Sequence, residues 1–297
     1  IDPDLIWTNS PKSLLFLYAS CTNRICPTVF YARGWYRKKE ISAAKRWMVN
    51  MASDHVFTLS AATAKEIKKW YKQKDHVHVV YNTLDVKKIE QLADKPLEQL
   101  PAGMDRDLKV LVPAHLLYTK GQHTAVRAAA LLKKKGINFV LWLAGDTGTF
   151  DRKNQYFDYL TDIVKKCDLE REVIFLGYEN NIPALMKLAN VVVFPSLSEG
   201  FGRVIVESVM VHTPVIATPA GGVTDLIEDG KTGLLVPFED AEALAVNIEK
   251  LYNDENLREK ICEQAYEHVN KLVHPDVQIP LIRVAIEDII SECKAKS

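Results

Sequence analysis

The residues of this 297-residue chain best placed to do chemistry fall in one stretch, Pro195-Ser196-Leu197-Ser198-Glu199-Gly200-Phe201-Gly202-Arg203-Val204-Ile205-Val206-Glu207. An apolar run ends near Phe194, two glycines follow, and a helical pattern starts near Gly202 or Arg203. Glycine permits a tight turn and close approach of a ligand to the backbone. The free amides and positive dipole end of a helix make a site for a phosphate or diphosphate. Glu207 stands among Val204, Ile205, Val206, Val209, Met210 and Val211, so its helix is apolar almost all round and should be buried. A buried carboxylate needs donors: vicinal sugar hydroxyls would serve, and an internal salt bridge is the alternative for either glutamate. Glu199 precedes the helix and can reach the same ligand from the other side of the phosphates.

Two further stretches have the same strand–loop–helix form. In Pro113-Ala114-His115-Leu116-Leu117-Tyr118-Thr119-Lys120-Gly121, a lysine at a strand's carboxyl end can neutralise charge building on a departing phosphate. An ordinary solvated lysine is the plain alternative for Lys120. His115 could donate to a phosphate oxygen, although a loop histidine is more often simply hydrogen-bonded. In Thr218-Pro219-Ala220-Gly221-Gly222-Val223-Thr224-Asp225, the glycine pair again suits close backbone contact, and Asp225 suits dipole compensation in a first helical turn.

These loops need a scaffold that sets them side by side. β-branched runs predict strands at residues 5–8, 28–31, 55–59, 77–81, 109–113, 139–144, 173–176, 191–194, 215–218 and 234–236. Helical periodicity fills the gaps, for example at 124–135, 156–167 and 241–252. The runs are nearly all apolar rather than alternating, as in parallel strands buried on both faces. The fold class is therefore α/β, with two Rossmann-like parallel-sheet domains. The expected division is an incomplete first Rossmann-like domain over 1–100, a linker over 101–106 among Pro96, Pro101 and Gly103, a second Rossmann-like domain over 107–275, and a C-terminal helix over 276–297 packing back toward the first domain. The second domain shows six strands; the first shows four, lacks an opening βαβ unit and reads as incomplete. Ligands of such sheets bind outside the carboxyl ends of the strands, so the expected active site is a cleft between the two sheets.

Composition narrows the function. Hydrophobic residues are 47% and charged residues 26%, which excludes disordered and collagen-like classes. The formal net charge is zero, so there is no basic excess for gripping nucleic acid. The longest apolar candidate, residues 13–21, is half a membrane span, no signal peptide is read, and the chain starts at Ile1 rather than Met, so upstream sequence is expected. Cys21, Cys26, Cys167, Cys262 and Cys293 are odd in number and scattered, which favours reduced thiols and a cytoplasmic setting over a metal site at Cys21 and Cys26. Residues 1–100 carry 16 Lys+Arg against 10 Asp+Glu, and the remainder carries the opposite imbalance. Between Arg24 and Lys74, Trp35, Tyr36, Ile41, Trp47 and Met48 interleave with Arg37, Lys38, Lys39, Lys45 and Arg46. A core-packing helix with a solvated basic face is favoured; a helix resting on anionic lipid, giving peripheral contact with the inner face of the membrane, is the other reading.

Taken in order, these motifs resemble the retaining glycosyltransferases of the GT4 family, which have the GT-B fold. The resemblance spans nearly the whole chain. It rests on Glu199-x7-Glu207 within Glu-Gly-Phe-Gly…Glu, the Lys120-Gly121 loop, Ala144-Gly145-Asp146, Leu176-Gly177-Tyr178, Gly221-Gly222, the Ser53-Asp54…Ser60 strand, and Asn82-Thr83-Leu84-Asp85 in place of the family's Asn-Gly-Val-Asp. It implies transfer of a sugar from a nucleotide-diphosphate sugar, a UDP-sugar for preference, to a glycan or lipid-linked acceptor. Lys120 and Gly121 would meet the diphosphate together with the amides of Gly202, Arg203 and Val204. Glu207 would hold the ribose hydroxyls, and Glu199 the transferred sugar, with Gly200, Phe201 and Gly202 shaping that pocket. Tyr178 would mark the nucleobase, and Gly145, Gly221 and Gly222 would line the donor site. Arg33, Gly34 and Asn82 would stand on the acceptor side. Lys120, Glu199 and His115 are the catalytic candidates. No metal and no cofactor is implied, and Asp105-Arg106-Asp107 reads as solvated charge. The family has Arg in place of His115, Glu in place of Asp225, and often His in place of Arg33. A nucleotide-sugar epimerase of the same fold and a non-catalytic sugar-nucleotide-binding or scaffold protein are the alternatives.

Overall fold

The computed structural model describes residues 3–20, 26–148 and 155–296. Cys21 and Arg24 lie outside the described residues. Clustering of contacts divides the chain into two units. The first comprises Ile1–Leu84, Glu199–Phe201 and Lys271–Ser297; the second comprises Asp85–Ser198 and Gly202–Asn270.

The first unit alternates β1 (Ile6–Thr8), α1 (Pro11–Ser20), β2 (Thr28–Ala32), α2 (Ala43–Ala52), β3 (His55–Thr58), α3 (Ala61–Lys68) and β4 (Val77–Val79). The four strands are parallel and lie in chain order. Strand alternation sorts their side chains. Phe30, Ala32 and Val56 pack with Leu14 of α1, Val49 of α2 and Ile67 of α3 on one face. Val29 and Phe57 pack on the other. Ser42 and Ser60 cap α2 and α3 through their side chains, accepting from Lys45 N and Thr63 N. The basic helix α2 buries Val49 and Ala52 but leaves Trp47 and Met51 exposed.

The second unit opens with α4 (Val86–Ala93) and continues through β5 (Leu108–Pro113), α5 (Gln122–Lys134), β6 (Phe139–Ala144), α6 (Gln155–Lys166), β7 (Val173–Gly177), α7 (Ile182–Leu188), β8 (Val191–Phe194), α8 (Arg203–Met210), β9 (Val215–Ala217), α9 (Val223–Leu226), β10 (Leu234–Leu235), α10 (Ala241–Asn253) and α11 (Glu255–Val273). The six strands are parallel in the order β10-β9-β8-β5-β6-β7. The chain leaves β5 toward β6 and β7, then returns to β8 on the opposite side. The β5/β8 pair is therefore the switch point, where open α/β sheets bind ligands. Strands β5, β6 and β8 are almost wholly buried, which accounts for their unbroken apolar sequence.

The final helix, α12 (Pro275–Lys296), belongs to the first unit. There Ile289 is buried with Val29, Phe57 and Val80, and Gln278 Oε1 accepts from Tyr81 N at 3.2 Å. The contact division falls after Leu84, earlier than the linker expected at 101–106, because α4 packs with the second unit. Asn181 donates to Leu92 O at 2.9 Å, and Lys187 pairs with Asp94 at 2.6 Å. The stretch holding Pro96, Pro101 and Gly103 is irregular, and Trp142 of β6 donates to Ala102 O at 2.8 Å.

Candidate functional site

The switch point brings together two of the three loops singled out by composition. The loop after β5 carries His115 and ends in a short 3-10 helix, Tyr118–Lys120. The loop after β8 runs into α8. Leu197 N donates to Thr119 O at 2.8 Å, stitching the two loops together. Gly121 turns with φ +72°, and a Cβ there would stand 2.0 Å from Pro195 O, so only glycine permits this approach. Lys120 Nζ lies 5.5 Å from the centre of the Phe194 ring. Thr218 of the third loop donates its hydroxyl to Ser196 O, bringing the loop of Gly221 and Gly222 beside the second.

Helix α8 begins at Gly202, whose φ of +99° an L side chain rarely adopts. Gly202 has no side chain with which to cap the first turn, so no Ncap side chain takes its amides. Arg203 is exposed and Val204 half-buried at this end. The Ser196 hydroxyl is fully buried without a protein partner in the loop that leads there. Glu207, one turn further on, is mostly buried and accepts from Arg203 at 3.1 Å. Burial raises its pKa above the usual carboxylate value of 4.5, and the Arg203 charge and hydrogen bond work against that rise. The salt-bridge alternative is thus realised for Glu207, through an exposed guanidinium that a ligand can displace at small cost.

His115 is half exposed, with Nδ1 3.3 Å from Asp146 Oδ1. Gln122 donates to His115 O at 2.8 Å, and Leu116 N to Asp146 O at 2.8 Å, which fixes the loop backbone. Gly145 N donates to Gly177 O at 2.7 Å, closing the ends of β6 and β7. A cavity of about 210 Å³ opens beside them, lined by Leu116, Gly145, Asp146, Phe157, Phe175 and Gly177. Tyr178 follows and is 69% exposed. A larger cavity of about 500 Å³ involves Asn190 and Pro214, which immediately precede β8 and β9. It opens at the amino ends of the strands, away from these loops. Asp107 of the Asp-x-Asp stretch accepts from Asn138 at 3.0 Å and is exposed, as is Asp105.

Glu199, Gly200 and Phe201 group with the first unit. Glu199 Oε1 accepts from Gly200 N at 3.1 Å; Phe201 is 2% exposed, its ring centre 6.1 Å from that of Tyr81. The same unit holds Arg33 and Gly34, both exposed after β2, and Asn82 after β4, whose Oδ1 accepts from Tyr31 at 3.1 Å.

Sequence reasoning missed the support behind Lys120. Tyr118 stacks on buried His123 at 4.6 Å and donates to Glu239, whose carboxylate also lies 3.3 Å from His123 Nε2. Glu239 holds φ +64°, a strained backbone for a non-glycine residue. Burial lowers the His123 pKa, so the ring is neutral near pH 7 and Nε2–H is placed to donate to Glu239. A stacked Tyr–His pair ten dozen residues from its glutamate leaves no local sequence signal.

The sequence pattern of the family described as Glycosyl transferases group 1 matches residues 102–268, and that of Glycosyltransferase Family 4 matches residues 1–88. The chain belongs to the group 1 glycosyltransferases. It is 27% identical over 218 residues to N-acetyl-alpha-D-glucosaminyl L-malate synthase of Bacillus anthracis, covering 73% of this chain and 55% of that protein. It is 34% identical over 142 residues to the capsular polysaccharide biosynthesis glycosyltransferase CapM of Staphylococcus aureus, covering 48% and 36%. The chain spans about half the length of the relatives it matches. In fold it is similar to Anabaena HepE, solved with UDP and glucose, with a TM-score of 0.81 and 24% identity over 95% of this chain and 77% of that one. The fold class of the family, GT-B, is thus the fold of this chain.

Proposed function

We propose that the chain belongs to a retaining glycosyltransferase that moves a sugar from a nucleotide-diphosphate sugar to a glycan or lipid-linked hydroxyl. The observation that carries this reading is the uncapped start of α8 at the β5/β8 switch point, stitched to the Lys120 loop. Donor diphosphate lies against the amides of Gly202, Arg203 and Val204, with Lys120 and His115 beside it. Glu207 exchanges its Arg203 partner for ribose hydroxyls. The base enters the cavity between Leu116 and Phe175, next to Tyr178. Glu199, Gly200 and Phe201 take the transferred sugar, and Gly145, Gly221 and Gly222 complete the donor wall. The bond from the anomeric carbon to the diphosphate breaks through an oxocarbenium-like transition state, and the acceptor oxygen forms the new bond with retained configuration as its proton passes to the departing diphosphate oxygen. Fixed amides and a lysine aimed at the leaving diphosphate supply the largest catalytic effect, without a metal ion. UDP is the favoured base-bearing group because HepE was solved with it. CapM, as a capsular polysaccharide enzyme, supports a glycan acceptor. Arg33, Gly34 and Asn82 stand on the acceptor side. The exposure of Trp47 and Met51, one turn apart on the basic helix α2, supports peripheral contact with an anionic membrane.

The test is a thermal-shift panel of UDP-, GDP- and ADP-sugars, followed by product analysis with and without glycan acceptors. A stabilising UDP-sugar consumed only with acceptor, giving a product of retained configuration, is the expected result. Epimerised sugar from donor alone, or binding without turnover in the full-length protein, would overturn the reading.

A further inference from the structure

A second cluster of side chains stands apart from every residue assigned to sugar transfer. It is built within the first unit from β3, the 3-10 turn leading into β4, and α12. His76 ends the 3-10 turn and His78 is the middle residue of β4. Phe57 pairs in register with His78, and His55, two residues before Phe57, shares its face of β3. His55 is only 6% exposed, and its ring stacks on His76 at 4.2 Å and 7°. Its Nδ1 lies 3.2 Å from His78 Nε2. From α12, Glu292 reaches the same place: one ring nitrogen each of His55 and His76 and a carboxylate oxygen of Glu292 lie within 4.8 Å of one another. A cavity of about 430 Å³ opens here, lined by His55, His78, Asp288 and Glu292 among apolar residues of α12.

We propose that His55, His76 and Glu292 form a site for a divalent transition cation, zinc in the first instance, that fastens α12 to the strands of the first unit. Two imidazoles and a carboxylate are the ligand types that zinc takes at about 2.0–2.2 Å. Metal binding draws the donors from within 4.8 Å of one another to roughly 3.3 Å, the edge of a tetrahedron with such bonds, and turns the stacked His55 and His76 rings so that their lone pairs converge. The second contacts also fit. His76 Nδ1 lies 2.9 Å from Asp54 O, and a carbonyl only accepts, so Nδ1 carries the hydrogen and Nε2 keeps its lone pair for the metal. His55 Nδ1 and His78 Nε2 face each other at 3.2 Å, and a hydrogen held between them orients the His55 ring. Asp288, one helical turn before Glu292, adds negative charge beside the cation. The metal would link residues 55 and 76 to residue 292 across most of the chain, so its binding energy adds to the stability of this unit. It takes no part in sugar transfer.

The experiment uses the whole chain, stripped with chelator and then titrated with zinc by calorimetry, with cobalt absorption as the coordination signature. One saturable zinc per chain is expected, with a cobalt spectrum of low coordination number and a rise in Tm on zinc addition. Glu292→Gln, at an exposed position, and His76→Gln should each weaken zinc at least tenfold and abolish the Tm rise. Circular dichroism of the metal-free variants should match the wild type. His274→Gln, outside the cluster, should leave the affinity unchanged. Absence of saturable binding at 100-fold excess, or wild-type affinity in both Glu292→Gln and His76→Gln, would overturn the proposal.

Discussion

Glu207 and Lys120 have different work in the proposed transfer, and their variants should separate. Glu207 holds ribose in both ground and transition states. Glu207→Ala should therefore weaken nucleotide binding by about 1–3 kcal/mol in calorimetry, the effect of an unpaired polar contact; an unchanged affinity would remove its ribose role. Lys120 meets charge that grows as the diphosphate departs. Lys120→Ala should lower turnover far more than donor affinity, and equal losses would mark plain ground-state binding. The Glu207 carboxyl also fixes a pH dependence. Its folded pKa is raised by burial, so its contribution to stability is full below the unfolded value of 4.5 and is lost as pH rises through the folded value. Ribose hydroxyls donate to the ionised form. Nucleotide affinity should therefore fall as pH drops into the window just above 4.5, and a flat affinity across that window would contradict the assignment. The strand–loop–helix settings of Lys120 and Glu207 were legible in the sequence because an apolar run, then glycine, then a helical pattern marks such a junction. Arg203 as the partner of Glu207 was legible only as an unassigned salt bridge. The Tyr118–His123–Glu239 support was not legible, since it joins residues far apart in the chain.

At the scale of elements, all ten predicted strands are present within a residue or two of their expected ends. Parallel strands buried on both faces leave continuous β-branched runs, and such runs survive without alignment. Helix α4 was not singled out: it is short, and what assigns it to the second unit is its contacts with Asn181 and Lys187, which no local pattern reports. The same contacts place the division after Leu84 rather than at 101–106. The loop–helix junctions make a quantitative prediction. Gly121 and Gly136 have nearly equal φ, +72° and +71°, but a Cβ at Gly136 meets nothing within 4 Å, whereas one at Gly121 meets Pro195 O. Gly136→Ala should cost about 1–2 kcal/mol, the expense of the left-handed backbone alone. Gly121→Ala should cost clearly more in urea unfolding and should also disturb donor binding; equal losses would show that the two loops are not held against each other. On α12, Ile289→Ala should destabilise by about 2–5 kcal/mol, as expected for a buried side chain at the centre of its cluster.

For the whole molecule, the balanced net charge conceals a basic first hundred residues and an acidic remainder. No helix among the described residues is long and apolar enough to cross a membrane. Vesicles containing anionic lipid should sediment the chain more than neutral ones, and Trp47→Ala should reduce that fraction; equal sedimentation would leave α2 as a core-packing helix with a solvated face. Chelation should lower Tm through the histidine cluster while leaving transfer unchanged at temperatures well below unfolding. A loss of transfer restored by added divalent ion would contradict leaving-group stabilisation by amides and lysine alone. Co-crystallisation with UDP tests the central claim most directly. The diphosphate oxygens should lie within hydrogen-bond distance of the Arg203 and Val204 amides and of Lys120 Nζ, with Glu207 on the ribose. UDP bound elsewhere, or Glu207 still paired with Arg203 while the start of α8 makes no phosphate contact, would contradict it.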